Sequence, residues 1–589
     1  MKKKLVYFLV FTFLIINFLF SFATMRGDSG VVDEVAHIPA GYTYLKFHDY
    51  RLNPEHPPLL KMIAGLPLIS LNLKFDKNLP DWKDLPNGQW ETGWSFIYRI
   101  GNNPDQILFW SRLPLLLLFL LFGVCLFFVT KHYCGKTIAL FSLFLFSFSP
   151  TLTGHNHYVT TDIGVAFFIF LAIFFFLNYL KKPNLKNAIF SGIFLGLAQL
   201  SKFSAILLFP LFLFLLTLKI FSPKSKFHST WDNFKKSFSL YTPGFILSLL
   251  VCFILIDATY ALAMFKMPSE KLKELIDWTQ PGIIPKSFIL FLAEIPLLKY
   301  FSEYLLGFSM VFSRVQGGNT TFLLGEVTNQ SFFWYFPVAF VTKETLGFLV
   351  LLLLALVLGF WKNAFYLAGL IKKGFKKIFQ ILVKNFWNYF EKNLFLFSIL
   401  TFILLYLLVT FRGNLNIGIR HLIPIIPMIY ILVALEIIIW SKNKWPRIAF
   451  ICALSLWIVG SYMLAYPSYL AYFNEAGGGI NNGYKILTDS NLDWGQDLKR
   501  LTKWVDENKI ATLKVDYFGG GEPEYYLKEK YQRWTSRFGP TKGWIAVSAT
   551  YLQNSRWYHL TLGEPDYDWL RSRKPDAIIG GSILVYNVK

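Results

Sequence analysis

Eleven apolar runs dominate the chain, at 5–23, 107–129, 137–150, 162–180, 188–201, 203–218, 240–262, 345–361, 394–411, 422–440 and 448–466. Crossing hydrocarbon takes about 20 helical residues, so several runs are short. A backbone in lipid must nevertheless satisfy its own polar groups, and a single apolar segment does so as a helix. The pattern predicts a mainly α, polytopic core of about eleven spans over 1–466. The stretches 59–71 and 286–300 are apolar but too short to cross, and read as interfacial or re-entrant. After 466 the pattern becomes that of a soluble domain. Segments 485–490, 512–518, 544–551 and 577–588 read as strands, the last turning at Gly580-Gly581. Helical periodicity over 495–507 completes a β-α-β unit, so 467–589 is expected to be an α/β domain.

Composition agrees with a membrane protein. Of 589 residues, 54% are hydrophobic and 16% charged, against about 25% charged in soluble proteins. The net charge of +22 raises the question of nucleic acid, which the placement of the charge answers. Segments 1–4, 131–136, 181–187, 219–239, 362–393 and 441–447 carry 23 Lys and Arg against two acids, Asp232 and Glu391. Such alternation is the positive-inside bias of a multi-pass protein. The basic loops then meet cytoplasmic lipid headgroups, with no aromatic interleaving for nucleic acid. The expected location is the cell membrane, with the N-terminus cytoplasmic. Loops 24–106, 151–161 and 263–344, and the domain 467–589, fall outside. The first run is longer than the roughly 7–15 residues of a secretory signal core and reads as a retained helix. Cys125, Cys134, Cys252 and Cys452 show no metal spacing.

Candidate chemistry collects on the outer side. Asp33-Glu34 follow the first span, and paired carboxylates there suit a general base or hard ligands for a divalent ion. Glu55-His56 form a polar tip before Pro57-Pro58, and Asp162 opens a span, where it reads equally as a helix-terminal acid. Lys202, Lys343 and Arg420-His421 stand at outer ends of spans, where the charge bias asks for no cation. They either snorkel or form a phosphate clamp. In the C-terminal domain, Asp493 reads as a cap for the helix after it. Trp494, with Asn491 and Asp497, is either packing or a stacking surface for a sugar.

Asp33-Glu34, the tip Glu55-His56-Pro57-Pro58-Leu59, Asp162 and Gly196–Lys202 resemble integral-membrane glycosyltransferases of the GT-C fold. The branch is the protein O-mannosyltransferase-like one, which includes the aminoarabinose transferase of lipid A; His56 stands where that transferase has Lys. The segments 414–424 and 490–498 resemble a bacterial subgroup of phospholipid carrier-dependent glycosyltransferases, and the resemblance covers most of 5–500. It implies a GT-C core, a polyprenyl-phosphate sugar donor, and a lipid, glycan or protein acceptor. It implies inverting transfer with Asp33 as base beside Glu34, and Lys202, Arg420, His421 and Lys343 on the donor phosphate. Glu55, His56 and Asp162 would hold the acceptor or a divalent cation, which the resemblance does not make obligatory. Two readings from other classes are a transporter or flippase, and a membrane-anchored binding domain. The former is expected to show midplane ionisable groups and inverted repeats.

Overall fold

The computed structural model describes residues 2–223, 230–279, 282–370, 375–442 and 444–589. Each of the eleven apolar runs falls on a helix. Among the described residues, eight helices are long and apolar enough to cross a membrane: Lys3–Gly27, Pro104–Cys134, Asp162–Lys181, Phe203–Phe221, Trp231–Met264, Leu346–Tyr366, Leu394–Arg412 and Trp445–Ala465. The other three runs lie on Lys136–Ser147, Leu185–Gln199 and Ile426–Ser441. At 1.5 Å per residue these reach about 18–24 Å, short of the roughly 30 Å hydrocarbon layer. Capping residues set several starts: Asn103 accepts from Gln106 N–H (3.2 Å) and Asn184 from Asn187 N–H (2.9 Å). Asp162–Lys181 is the most enclosed of the long helices and lies at the centre of the bundle.

The segments between helices are not solvated loops. Residues 24–106 fold into Val32–Lys46, Leu59–Gly65 and Gln89–Trp94, and Val32–Lys46 is buried along nearly its whole length. The stretch 263–344 contains Ser269–Trp278, Lys286–Glu294, Lys299–Gly317, a small hairpin (Thr321–Leu323 with Glu326–Thr328) and Tyr335–Lys343.

The C-terminal domain holds a five-stranded sheet in the order Tyr531–Arg533, Leu513–Asp516, Gly543–Ser548, Ile583–Val588, Ala577–Ile579. The first three strands are parallel and the last two antiparallel to their neighbours. The hairpin turns at Gly580-Gly581, both at positive φ, as the sequence predicts. Two expectations fail. The segment 485–490 forms short 3-10 turns, with one isolated bridge from Leu487 to Leu323, because it is spent filling the seam under the domain. Without that strand the β-α-β unit expected over 485–518 does not form, although the helix Leu498–Glu507 is present. The parallel neighbours Leu513–Asp516 and Tyr531–Arg533 are joined instead through the short helix Pro523–Leu527. The strand expected over 544–551 stops at Ser548, where the helix Ala549–Leu562 begins.

The domain does not stand apart. One hydrophobic core runs from the long helices into Ile545, Val547, Leu552 and Leu584. A smaller core, including Leu501, Val505, Val515 and Val585, lies between Leu498–Glu507 and the sheet.

Candidate functional site

The site is built on the first turn of Val32–Lys46. Neighbouring positions on a helix point about 100° apart, and here that rotation separates two carboxylates. Glu34 is fully buried and receives Arg112 through two bonds (Nε 2.8 Å, Nη2 2.6 Å). It also accepts the backbone N–H groups of Val31 (3.0 Å) and Val159 (3.2 Å). All its lone-pair positions are used, and it lines neither of the cavities described below, so it anchors the helix and is not placed for catalysis. Asp33 faces the other way, into open space.

Arg420 meets Asp33 at 2.6 Å (Nη1 to Oδ2) and lies 3.6 Å from Asp162. It sits on the one-turn helix Ile419–Leu422, entered through Gly418 at φ 155°, where a Cβ would collide with Ser490. Its guanidinium stacks on the Trp494 ring at 4.3 Å. Lys202 pairs with Asp162 (2.6 Å), and Leu59 N–H donates to Leu200 C=O (3.2 Å), which brings the Pro57-Pro58 tip against the Gly196–Lys202 segment.

Two cavities meet at this cluster. One, of about 430 Å³, has Asp33, His56, Lys202, Arg314, Arg420 and His421 at one end. Its other walls are mostly apolar, including Phe203, Leu207, Phe308, Val311, Phe336 and Val409. The second, of about 330 Å³, is polar and carries His37, Glu55, Asn319, Asp489, Asn554 and Tyr558. Asp33, His56, Arg314, Ile417 and Arg420 belong to both, so Asp33 stands on the partition between a greasy groove and a wet one. Among the described residues, Arg420 Nε, His421 Nε2 and His56 Nδ1 are buried without hydrogen-bond partners.

Electrostatics follow from the burial. Burial works to raise the Asp33 carboxyl, but Arg420 and His37 outweigh it and hold it below the usual carboxylate range. Burial, reinforced by His37, Lys61 and Lys202, keeps His56 well below the usual imidazole value, and burial with Lys202 and Arg420 does the same to His421. Both rings are neutral at pH 7. Burial pushes Asp489 up to about 6, against the pull of Arg420.

The expected residues therefore divide. Asp33, His56, Lys202, Arg420 and His421 converge on the partition, with Asp162 behind Lys202 and Arg420. Glu55 lines the polar cavity, held by Asn87 and Gln89 (both 3.1 Å). Lys343 does not join them. It is buried and donates to the carbonyls of Leu470 (2.7 Å) and Asn491 (2.5 Å), fastening the C-terminal domain to the core. Asp493 caps a different helix from the one expected, because its carboxylate accepts Thr550 N–H (2.8 Å) at the start of Ala549–Leu562. Asn491 and Asp497 are fully buried and turned to internal partners, while Trp494 supports Arg420. The candidate cation ligands do not fit a divalent ion. Asp162 bonds Lys202 through Oδ1 and lies 3.6 Å from Arg420 with its Oδ2 otherwise unpartnered, and no group of three or more His, Cys, Asp or Glu able to hold a metal occurs among the described residues. Arg314, in the last turn of Lys299–Gly317, was not singled out from the sequence. Nothing in the sequence sets it apart, because the stretch 263–344 carries six Lys residues besides it.

Residues 95–256 match the model of the dolichyl-phosphate-mannose-protein mannosyltransferase family, the one to which the motifs pointed. That span holds Asp162 and Lys202 but neither Asp33 nor Arg420. No curated protein matches the chain in sequence. Among solved structures, the S. cerevisiae protein O-mannosyltransferase Pmt1-Pmt2 complex bound to the sugar donor is 20% identical, with a TM-score of 0.34. The match covers 45% of this chain and 35% of that one, so only about a third of the yeast chain is represented. ArnT from Cupriavidus metallidurans bound to undecaprenyl phosphate is 12% identical over 98% of this chain and 97% of its own, with a TM-score of 0.41. The oligosaccharyltransferase AglB from Archaeoglobus fulgidus, in complex with an inhibitory peptide and a dolichol-phosphate, is 12% identical over 97% and 75%, with a TM-score of 0.44.

Proposed function

We propose that this multi-pass membrane protein transfers a sugar from a polyprenyl-phosphate donor to a hydroxyl acceptor, on the side of the membrane that bears the C-terminal domain. The observation that carries the reading is the pair of cavities meeting at Asp33 and Arg420. The apolar groove suits a lipid chain, and its end gathers Lys202, Arg314 and Arg420 against the single carboxylate of Asp33. The buried Arg420 Nε–H, a charged donor without a partner among the described residues, suits a phosphate there. The polar cavity on the far side of Asp33 suits a hydroxylated acceptor. The charge bias supports an extracytoplasmic site, where cytosolic nucleotide sugars are absent and a lipid-linked donor brings its own activated bond.

In this reading the acceptor oxygen attacks the anomeric carbon from the polar side. The bond from that carbon to the phosphate oxygen breaks, its electron pair leaves with the lipid phosphate, and the configuration inverts. Asp33 takes the hydroxyl proton, while Lys202, Arg314 and Arg420 stabilise the leaving phosphate. The Asp33–Arg420 pair adds a coupling. While paired, Asp33 is a weak base; a donor phosphate that draws Arg420 toward itself raises the basicity of Asp33 when the donor is in place.

The test is mass spectrometry of products from purified protein given a panel of polyprenyl-phosphate sugars. Wild type is expected to consume at least one donor, and Asp33→Asn to lose transfer while remaining folded in the membrane fraction. Wild-type turnover by Asp33→Asn removes Asp33 from the mechanism.

A further inference from the structure

A third cavity, of about 580 Å³, lies where the helix Gln89–Trp94 and the residues after it meet the C-terminal domain. Arg99 crosses that seam to Glu522 at 3.0 Å. The cavity shares two walls with the polar cavity at Asp33, the rings of Tyr551 and Tyr558. Both rings stand on the helix Ala549–Leu562. Thr550, Asn554 and Tyr558 recur there at every fourth position, a single helix face, and all three line the polar cavity. Tyr551, Ser555 and Tyr558 line the outer one. The lining therefore continues from Asp33 outward along this helix for about 12 Å between Thr550 and Tyr558, longer than one pyranose ring.

We infer that the acceptor is an uncharged oligosaccharide, bound along this continuous groove with its reactive end at Asp33 and its distal sugars on Tyr551, Tyr558, Trp94 and Trp534. The inference rests on the transferase reading above and names the acceptor class. Three observations carry it. Tyr551 and Tyr558 are 36% and 39% exposed, a usable aromatic surface for the apolar face of a sugar ring. Two buried polar atoms on the route, Asn554 Oδ1 and Trp534 Nε1, have no hydrogen-bond partner among the described residues. The charges of the outer cavity oppose an anionic ligand. Three arginines face five carboxylates, and Arg99 and Arg537 are already taken by Glu91, Glu522 and Glu564. A phosphorylated headgroup would meet net negative charge there, whereas hydroxyl groups can bond to both members of an ion pair. A peptide has less use for a run of open rings flanked by fixed ion pairs.

The experiment uses the full chain in detergent, with maltose-, cellulose-, chitin- and mannan-series oligosaccharides of increasing length and Ser/Thr-rich peptides as probes. Binding is read calorimetrically, and donor consumption is measured in parallel. At least one oligosaccharide series is expected to bind more tightly as it lengthens beyond one unit. Tyr558→Ala is expected to weaken the long members about three- to tenfold, the scale of one lost aromatic contact. It should also flatten the length dependence, while Tyr558→Phe, which keeps the ring, retains it. Because Tyr558 is a surface side chain, an unchanged melting temperature is expected for both variants. Affinity independent of length in every series, a Tyr558→Ala variant that keeps its length dependence, or peptides that bind the seam in place of sugars each overturns the inference. Failure of the wild type to consume any donor instead overturns the transferase reading, a separate readout from oligosaccharide binding.

Discussion

At the scale of single residues, the adjacent acids Asp33 and Glu34 have opposite fates, and the difference is measurable. Glu34 is committed to Arg112 with no exposure, and removing one partner of a buried pair costs about 3–5 kcal/mol. Glu34→Gln is therefore expected to lower the melting temperature sharply, with activity lost in step with folded protein. Asp33→Asn should melt close to wild type and still not transfer. If the two variants lose stability equally, the division of labour between them is wrong. Lys202 tests the cationic end of the groove. A lost charged hydrogen bond is worth about 1.5–3 kcal/mol, so Lys202→Ala should weaken donor use roughly ten- to hundredfold. Lys202→Arg should recover part of that, because the charge remains though the geometry changes. Unchanged donor kinetics in the alanine variant would reduce Lys202 to a partner of Asp162. The sequence could single out Lys202 and Arg420, which the structure brings together with Asp33 at the end of the groove, since a cation at the outer end of a span is not called for by the charge bias. The resemblance implied Asp33 as the base, but the residue pattern by itself could not separate it from Glu34, because that depends on which face of the helix meets Arg112 from 78 positions away.

At the scale of elements, apolar runs were legible as helices, because a long run without charge has one stable solution in lipid. The Gly580-Gly581 hairpin was equally legible, since its turn needs positive φ. The segment 485–490 was not. Its alternation looks like a strand, but its partners are the seam residues Leu323 and Ile417, supplied by distant parts of the chain. The cap at Asp493 failed as a prediction for a related reason. The helix just after it begins at Leu498, while the N-terminus within reach of the carboxylate belongs to Ala549–Leu562. That placement has a pH consequence. Burial pushes the Asp493 carboxyl up to about 8, against the pull of the Thr550 N–H. The unfolded chain releases that proton near pH 4, so between about pH 4 and pH 8 the native state binds the extra proton. The stabilisation is complete below that window and is lost as pH rises through it. The melting temperature of wild type is therefore expected to fall from about pH 5 to about pH 8 more steeply than that of Asp493→Asn. The Asn variant keeps an acceptor for Thr550 and has nothing to titrate. Parallel curves would show that Asp493 does not titrate in this range.

At the scale of the whole molecule, the C-terminal domain is part of the site's frame. Its segment 494–496 pairs with the strand of chain leading into Asp33, through Val32 N–H to Trp494 C=O (3.1 Å) and Ser29 N–H to Gln496 C=O (2.9 Å). Asn491 accepts Ile419 N–H (2.8 Å), Ser490 bonds Ile417, and Trp494 lies under Arg420, so the domain grips both ends of the Asp33–Arg420 pair. Sequence reading treats such a tail as separable, since its composition is that of a soluble domain and nothing local reveals what Trp494 faces. The consequence is specific. A desolvated cation–π contact is worth about 2 kcal/mol, and here it orients the guanidinium proposed to meet the donor phosphate. Trp494→Phe, which keeps a weaker ring, is expected to reduce donor consumption several-fold. Trp494→Ala should reduce it further, by more than any fall in folded protein accounts for. The acceptor's Michaelis constant should change less than donor use, because Trp494 borders the polar cavity with only 1% of its surface exposed, while its ring face is covered by Arg420. Binding of undecaprenyl phosphate, measured by calorimetry on variants matched for folded fraction, separates the cases. Weaker lipid-phosphate binding in the order wild type, Phe, Ala supports a frame that holds Arg420. Equal binding with a raised acceptor constant would instead make Trp494 an acceptor surface and leave Arg420 self-supporting.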